Sequence, residues 1–324
     1  ELGLVGSEMC IRDSVSPINK SIGLNILQLA GGYSKDKLRM NFAIHLGDIP
    51  RFSWSGPYNY IQEANIGYNV WDDIWVDVGY FTTHIGTESM TPKDNIMSTW
   101  ALNTFHEPLF QGGVKVSYEG ENGVSAALHV LDGYNAFVSS NNKLSFGLGL
   151  GWEPSDVFAM GYSNQISDES ATTDEQDQTR FYNNLWSTLS FEKVFVQLGF
   201  DFALQTNSKL EHLGDGTAIA YGALASVKYN MFSSFGLFGR VEYFEDQHGF
   251  LSGTFEETDG YERGLNATAY TLGAEYNPTD NTYLRFEHKQ TITPNRSNLQ
   301  PFQNFWKDSA PVTNKQSLRM VTVG

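Results

Sequence analysis

Short and long links between extended segments alternate along this chain without a break, and no other feature of the sequence constrains its fold as tightly. The segments show as period-2 alternation, which puts apolar side chains on one strand face and polar or small ones on the other. Leu144, Phe146, Leu148, Leu150 and Trp152 alternate with Ser145, Gly147, Gly149 and Gly151. Val194, Val196, Leu198, Phe200 and Phe202 alternate with Gln197, Gly199 and Asp201, and the pattern returns at Leu38–Ile44 and Val114–Tyr118. Few stretches show helical spacing. The chain therefore reads as all-β, with strands expected near 20–32, 36–46, 58–69, 73–82, 111–119, 123–133, 143–153, 156–166, 179–191, 193–204, 217–229, 234–246, 264–277, 281–290 and 314–324. Most match or exceed the roughly 9 to 11 residues that a tilted strand needs to cross a bilayer.

Short links fall at 34–36, 71–73, 120–123, 153–156, 192–193, 230–233 and 277–280. Long ones fall at 47–57, 83–110, 134–142, 167–178, 205–216, 247–263 and 291–313. Tight turns on one rim and long loops on the other define an up-and-down transmembrane barrel in an outer membrane. Each short turn follows an aromatic: Tyr33, Tyr68, Tyr118, Trp152, Phe191, Tyr229 and Tyr276. Rings at one height form the girdle that such barrels place at the membrane interface. Bacterial barrels have even strand numbers, so fifteen visible strands imply about sixteen when complete, with both termini periplasmic.

Residues 8–14, Glu-Met-Cys-Ile-Arg-Asp-Ser, resemble a translated sequencing adapter and hold the only cysteine, Cys10. Residues 1–14 are therefore set apart from a barrel spanning 15–324, which is expected to lack its first strand and a few residues after Met320–Gly324. The mean hydropathy of -0.33 does not argue against a membrane, because lumen-facing residues offset lipid-facing ones. A net charge of -16 without a basic patch excludes nucleic acid as a partner. Much of the acid lies at Asp168, Glu169, Asp174, Glu175 and Asp177 and at Glu256, Glu257, Asp259 and Glu262, read as solvated loops.

The polar strand phase carries Arg39, His45, Asp77, Lys115, Lys228, Arg240, Glu242, Arg285 and Glu287. Arg or Lys facing lipid at the midplane would cost roughly 2–4 kcal/mol, so this phase belongs to the lumen. These residues either form a selectivity eyelet or brace the inner wall, with Arg240/Glu242 and Arg285/Glu287 as expected pairs along one face. Link 83–110 contains Trp100, Leu102, Phe105 and Leu109, too apolar for a solvated flap. It is expected to fold into the lumen through Asp94, His106 and Glu107, or to cap the mouth.

Residues 61–166 add a resemblance. Gly79-Tyr80-Phe81 leads to Gly86-Thr87-Glu88; Pro108-Leu109-Phe110 leads to Gly112-Gly113-Val114; and Asp132-Gly133-Tyr134-Asn135 closes a hairpin. This order resembles the outer-membrane β-barrel porins of the OmpL-like type, with Tyr80 where they carry lysine and Gln111 where they often carry histidine. The resemblance implies a Gram-negative outer-membrane channel without a cofactor, passing small hydrophilic solutes by diffusion. Its partners would be the bilayer, lipopolysaccharide and the barrel-assembly machinery, in an oligomer such as a trimer. Two alternatives stand beside it: a sugar- or oligopeptide-specific channel using Trp75, Phe81, Phe238 and Phe244 as stacking rungs, and a plugged structural or adhesive barrel. An enzyme is not expected. The seven histidines show no metal-ligand spacing, no Ser/His pair shares a strand face, and the acidic loops lack calcium-loop spacing.

Overall fold

The computed structural model describes residues 24–54, 58–174, 176–257, 260–279, 281–293 and 315–323. The adapter-like segment, Glu175, Asp259, Asp280 and most of link 291–313 lie outside them. The strands are β1 (Leu27–Lys35), β2 (Leu38–Leu46), β3 (Ile61–Trp71), β4 (Ile74–Thr82), β5 (Phe110–Glu119), β6 (Val124–Leu131), β7 (Ser145–Ser155), β8 (Phe158–Asp168) and β9 (Thr179–Ser190). They continue as β10 (Val194–Gln205), β11 (Ala218–Phe232), β12 (Phe235–Glu245), β13 (Phe255–Glu256), β14 (Glu262–Arg263), β15 (Asn266–Thr279), β16 (Thr282–Ile292) and β17 (Lys315–Val323).

Among the described residues fifteen of these form one sheet, ordered β1 to β12 and then β15, β16, β17, each pairing antiparallel with its sequence neighbours. The fifteen expected strands are thus present in an up-and-down arrangement. β13 and β14 make a separate hairpin inside link 247–263, where the acidic residues predict only a solvated loop. A short helix α1 (Asp48–Ser53) in the first long link was likewise not expected. The first strand runs on to Lys35 instead of ending at residue 32, because Gly31 and Gly32 stay in the ladder opposite Phe42 and Asn41 and the turn forms at Asp36, with φ of 54°.

Burial is inverted relative to a water-soluble protein. Leu29, Phe42, Ile66, Leu128, Phe146, Leu198, Phe200, Leu272 and Phe286 are exposed on the outer face, whereas Asp77, Asp201, Arg240, Glu242 and Glu287 are buried. That pattern is stable only when hydrocarbon covers the outside. All seven turn-preceding aromatics are exposed as well, at the level where rings meet lipid headgroups. Segment 83–109 touches inward side chains of β3, β5, β9, β10, β12 and β16. One short segment reaches strands from both ends of the sheet only when the sheet curls around it. The fold is an antiparallel transmembrane β-barrel.

Candidate functional site

The loop enters the barrel where β4 and β5 face each other through Gly79 and Gly113. Their φ angles are 137° and 150°, and a Cβ would lie 2.3 Å from the Ala64 carbonyl oxygen and 2.1 Å from that of Val130. Only glycine takes this backbone without a clash. Above the pair the strands carry the two ends of the loop, closed by Thr83 N–H donating to Leu109 O at 3.1 Å. The other motif residues serve the same junction. Gly86 backs onto the Glu107 carboxylate, Pro108 is buried beside β5, and the Gly133 carbonyl accepts from Gln165 Nε2 at 2.8 Å.

From there the loop is fastened to the wall by charge-assisted hydrogen bonds, which are stronger than neutral ones. Arg240 Nη1 lies 2.5 Å from Glu88 Oε1, and Arg240 Nε lies 2.7 Å from Glu242 Oε1. Glu242 accepts from Leu102 N–H at 2.7 Å, and Glu287 accepts from Ser98 N–H at 2.6 Å and Thr99 N–H at 3.0 Å. Lys289 Nζ donates to the Trp100 carbonyl at 2.7 Å. Toward β9 and β10, Asn103 donates to Asp201, and Gln197 Nε2 reaches Thr87 O at 2.8 Å. Apolar contacts fill the gaps between these bonds. Met97 and Ile96 pack on Phe238, Leu102 on Phe244, Ile85 on Tyr182, and Trp100 joins Ile49, Trp54, Phe110 and Phe137.

Several expectations change here. Arg240 and Glu242 do pair, but Arg285 takes Glu275 as its carboxylate, with Nε 2.5 Å from Oε2. Glu287 does not pair with it because the loop's amides occupy both its oxygens. His106 and Glu107 are buried in the lumen, whereas Asp94 is half exposed and bonds its neighbour Lys93 at 2.9 Å. The rungs Phe81, Phe238 and Phe244 are buried, and Trp75 carries the Arg39 guanidinium 4.4 Å from its ring centre. Burial pushes His106 down to about 4, its ring stacked 4.4 Å from Phe244. Burial, with Asp201 and Glu88 close by, raises the Glu107 carboxyl well above the usual range.

Lys289, Asp201, Asn184 and Glu275 also hold the arrangement together and were not singled out from the sequence. Lys289 lies two positions beyond Glu287 and Asp201 two beyond Gly199, so extending the parity would have found these two, whereas Asn184 and Glu275 sit on strands of which no polar-phase residue had been named. The wall of β6 and β7 presents Ser125, Ala127, Gly149 and Gly151 inward, and a Cβ on Gly149 would meet nothing nearer than Ala127 at 3.9 Å.

A polar lumen inside a lipid-facing barrel, narrowed by an inward loop, defines an outer-membrane porin. The family described as "Putative beta-barrel porin-2, OmpL-like" matches residues 13–324, and the chain belongs to that family. Solved structures agree in fold. An anion-selective porin from Comamonas acidovorans aligns with a TM-score of 0.57 at 9% identity, over 83% of this chain and 78% of that one. Salmonella typhi OmpF, solved with daunomycin, gives 0.55 at 13% identity over 92% and 90%. The outer membrane channel DcaP of Acinetobacter baumannii gives 0.54 at 10% over 92% and 84%. A search of curated protein sequences gives no match.

Proposed function

We propose that this outer-membrane porin passes small hydrophilic solutes by passive diffusion along the side of the lumen that its loop leaves bare. The observation that carries the reading is the asymmetry of the inner wall. Loop 83–109 is bonded to β9, β10, β12 and β16; on β6 and β7 it touches only the upper part, where His84 stacks on His129 at 3.9 Å, and below that contact these strands present Ser125, Ala127, Gly149 and Gly151. Glycine and serine leave bore, and buried ion pairs hold the loop that narrows it. Arg240, Glu242, Arg285 and Glu287 then act on selectivity by fixing the loop, and Arg39 and Lys115, held by the covered Asp77, by facing the water below it.

This reading involves no covalent step and needs no cofactor. A sugar-specific channel is less favoured, because Phe81, Phe238 and Phe244 are covered and cannot stack on a solute. Lipopolysaccharide outside, the assembly machinery in the periplasm and association of copies, a trimer among them, go with an outer-membrane site. Single-channel recording in a planar bilayer tests the reading. Discrete ohmic steps whose current rises linearly with solute concentration support it. Silence from a folded, heat-modifiable barrel refutes it and favours the plugged, adhesive alternative.

A further inference from the structure

Two walls of the periplasmic half of the lumen repeat one arrangement of charge. On the first, Arg39 of β2 reaches across Gly67 of β3 to Asp77 of β4, with Nε 2.7 Å from Oδ1, and Lys115 of β5 stands on the far side at 3.8 Å. On the second, Lys228 of β11, whose register partner on β12 is Phe238, slants past Gly236 to Glu275 of β15 at 2.5 Å, and Arg285 of β16 stands on the far side. The first reach needs its glycine, since a Cβ at Gly67 would lie 2.1 Å from Asp77 Oδ1, whereas one at Gly236 would lie in ordinary contact, 3.4 Å from the Lys228 side chain.

Each row therefore holds two cations on one carboxylate and keeps a net positive charge. The carboxylates are the covered members: the Asp77 and Glu275 side chains are 1% and 4% exposed, whereas Arg39, Lys115 and Lys228 are 20%, 28% and 21% exposed. Water in the lumen meets Arg39, Lys115 and Lys228, while Arg285, 4% exposed, is covered like its carboxylate.

The rows also share a height. Arg39 and Asp77 are the register partners of Gly67, next to the girdle residue Tyr68; Lys228 precedes Tyr229 and Glu275 precedes Tyr276. β4 and β15 stand nine places apart in the sheet, about half-way round a barrel of about sixteen strands. The rows thus face each other across the bore. Beside the girdle on β5, β6 and β7 the inward residues are Ser117, Ser125 and Gly151, so no further carboxylate offsets them there. Glu119 comes to 4.0 Å from Arg39 but is largely exposed in water, where such a pair is weak. The surplus carboxylate among Glu88, Glu242 and Glu287 is buried under the loop.

We propose that these two rows make the lumen prefer anions, so that small inorganic and organic anions pass ahead of cations of equal size although the whole chain is acidic. This deepens the porin reading and rests on it.

The test is the reversal potential of the reconstituted protein across a KCl gradient at low mean salt, where screening is weak. The parent protein is expected to show an anion-signed potential. The double variant Arg39→Gln/Lys228→Gln should lower the chloride-to-potassium permeability ratio by roughly two- to five-fold, the factor expected for unit charges about 8 Å from the path in water. Each carboxylate keeps one cation in that variant, and heat-modifiable migration checks its fold. Asp72→Asn/Asp73→Asn on a periplasmic turn should move the ratio little. A cation-signed potential in the parent, or a ratio that the double variant leaves unmoved while the turn variant shifts it, overturns the proposal alone. Absence of any conductance from folded protein overturns the porin reading and this proposal with it.

Discussion

Glu88 is the residue through which the loop can be released without touching the barrel wall. One of its oxygens pairs with Arg240 Nη1 at 2.5 Å; the other accepts from Ala101 N–H at 2.7 Å and Thr104 Oγ1 at 3.1 Å. Glu88→Ala leaves Arg240 with Glu242 alone and strands two buried donors. Breaking a buried ion pair from one side costs about 3–5 kcal/mol, and an orphaned buried donor about 1–3 kcal/mol. Neighbouring losses do not sum in full, so about 4–6 kcal/mol is expected, a shift of about 10³ to 10⁴ in the balance between docked and released loop. Glu88→Gln keeps an acceptor for the two donors and should lose about half as much. The assay is maleimide labelling of Met97→Cys, a fully buried position, in a chain whose Cys10 is replaced by serine. Labelling should be slow in the parent and faster by at least two orders of magnitude with Glu88→Ala, alongside larger or noisier conductance steps. Equal labelling and conductance in all three proteins would refute the claim that this ion pair holds the loop in the lumen.

Three further outcomes follow from the same geometry. Gly79→Ala or Gly113→Ala drives a Cβ into a facing carbonyl at positive φ and should cost the barrel about 2 kcal/mol or more, read as a lower temperature for heat-modified migration. Leu198→Arg, on the lipid face, should cost roughly 2–4 kcal/mol in lipid-refolding titrations, whereas Gln197→Arg, one residue away and facing inward, should cost less. His106, held down to about 4 by burial, binds fewer protons in the docked loop than in the released one. Its contribution is therefore present above about pH 6.5 and is lost as pH falls from there toward about 4, roughly 3 kcal/mol in all. As pH falls across that window, Met97→Cys labelling should rise more in the parent than with His106→Leu. Glu107 has the opposite sign, since its raised carboxyl favours the docked loop at low pH, and Glu107→Gln should tighten docking at neutral pH.

The wall was legible in the sequence because each of its rules is local. Alternation along one strand decides which face meets lipid, and a turn such as 120–123 sits one residue after its ring, Tyr118. The girdle and the charged lumen phase follow from residues two positions apart. The loop contacts were not legible to the same degree. Glu287 lies beside Arg285 in parity, yet its partners are the amides of Ser98 and Thr99, which no spacing rule connects to it. Asp94 and Glu107 look alike as loop acids, and only the path of the chain decides that one meets water and the other is buried. The glycines of the family motifs gave the surest guide to the site, because Gly79 and Gly113 answer a backbone requirement that no other residue can meet.

The wall and the loop also differ in when they can form. Hairpins join segments adjacent in sequence, so the wall can be laid down strand after strand with little closure entropy at any step. The loop leaves the wall between β4 and β5, but its bonds to Glu287 span 189 residues. Its anchorage through β9, β10 and β12 is completed only when β16 is in place. The fully docked loop is thus a record that assembly has run as far as β16, and a barrel halted earlier carries its 83–109 segment less firmly held and more open to proteases than in the finished protein.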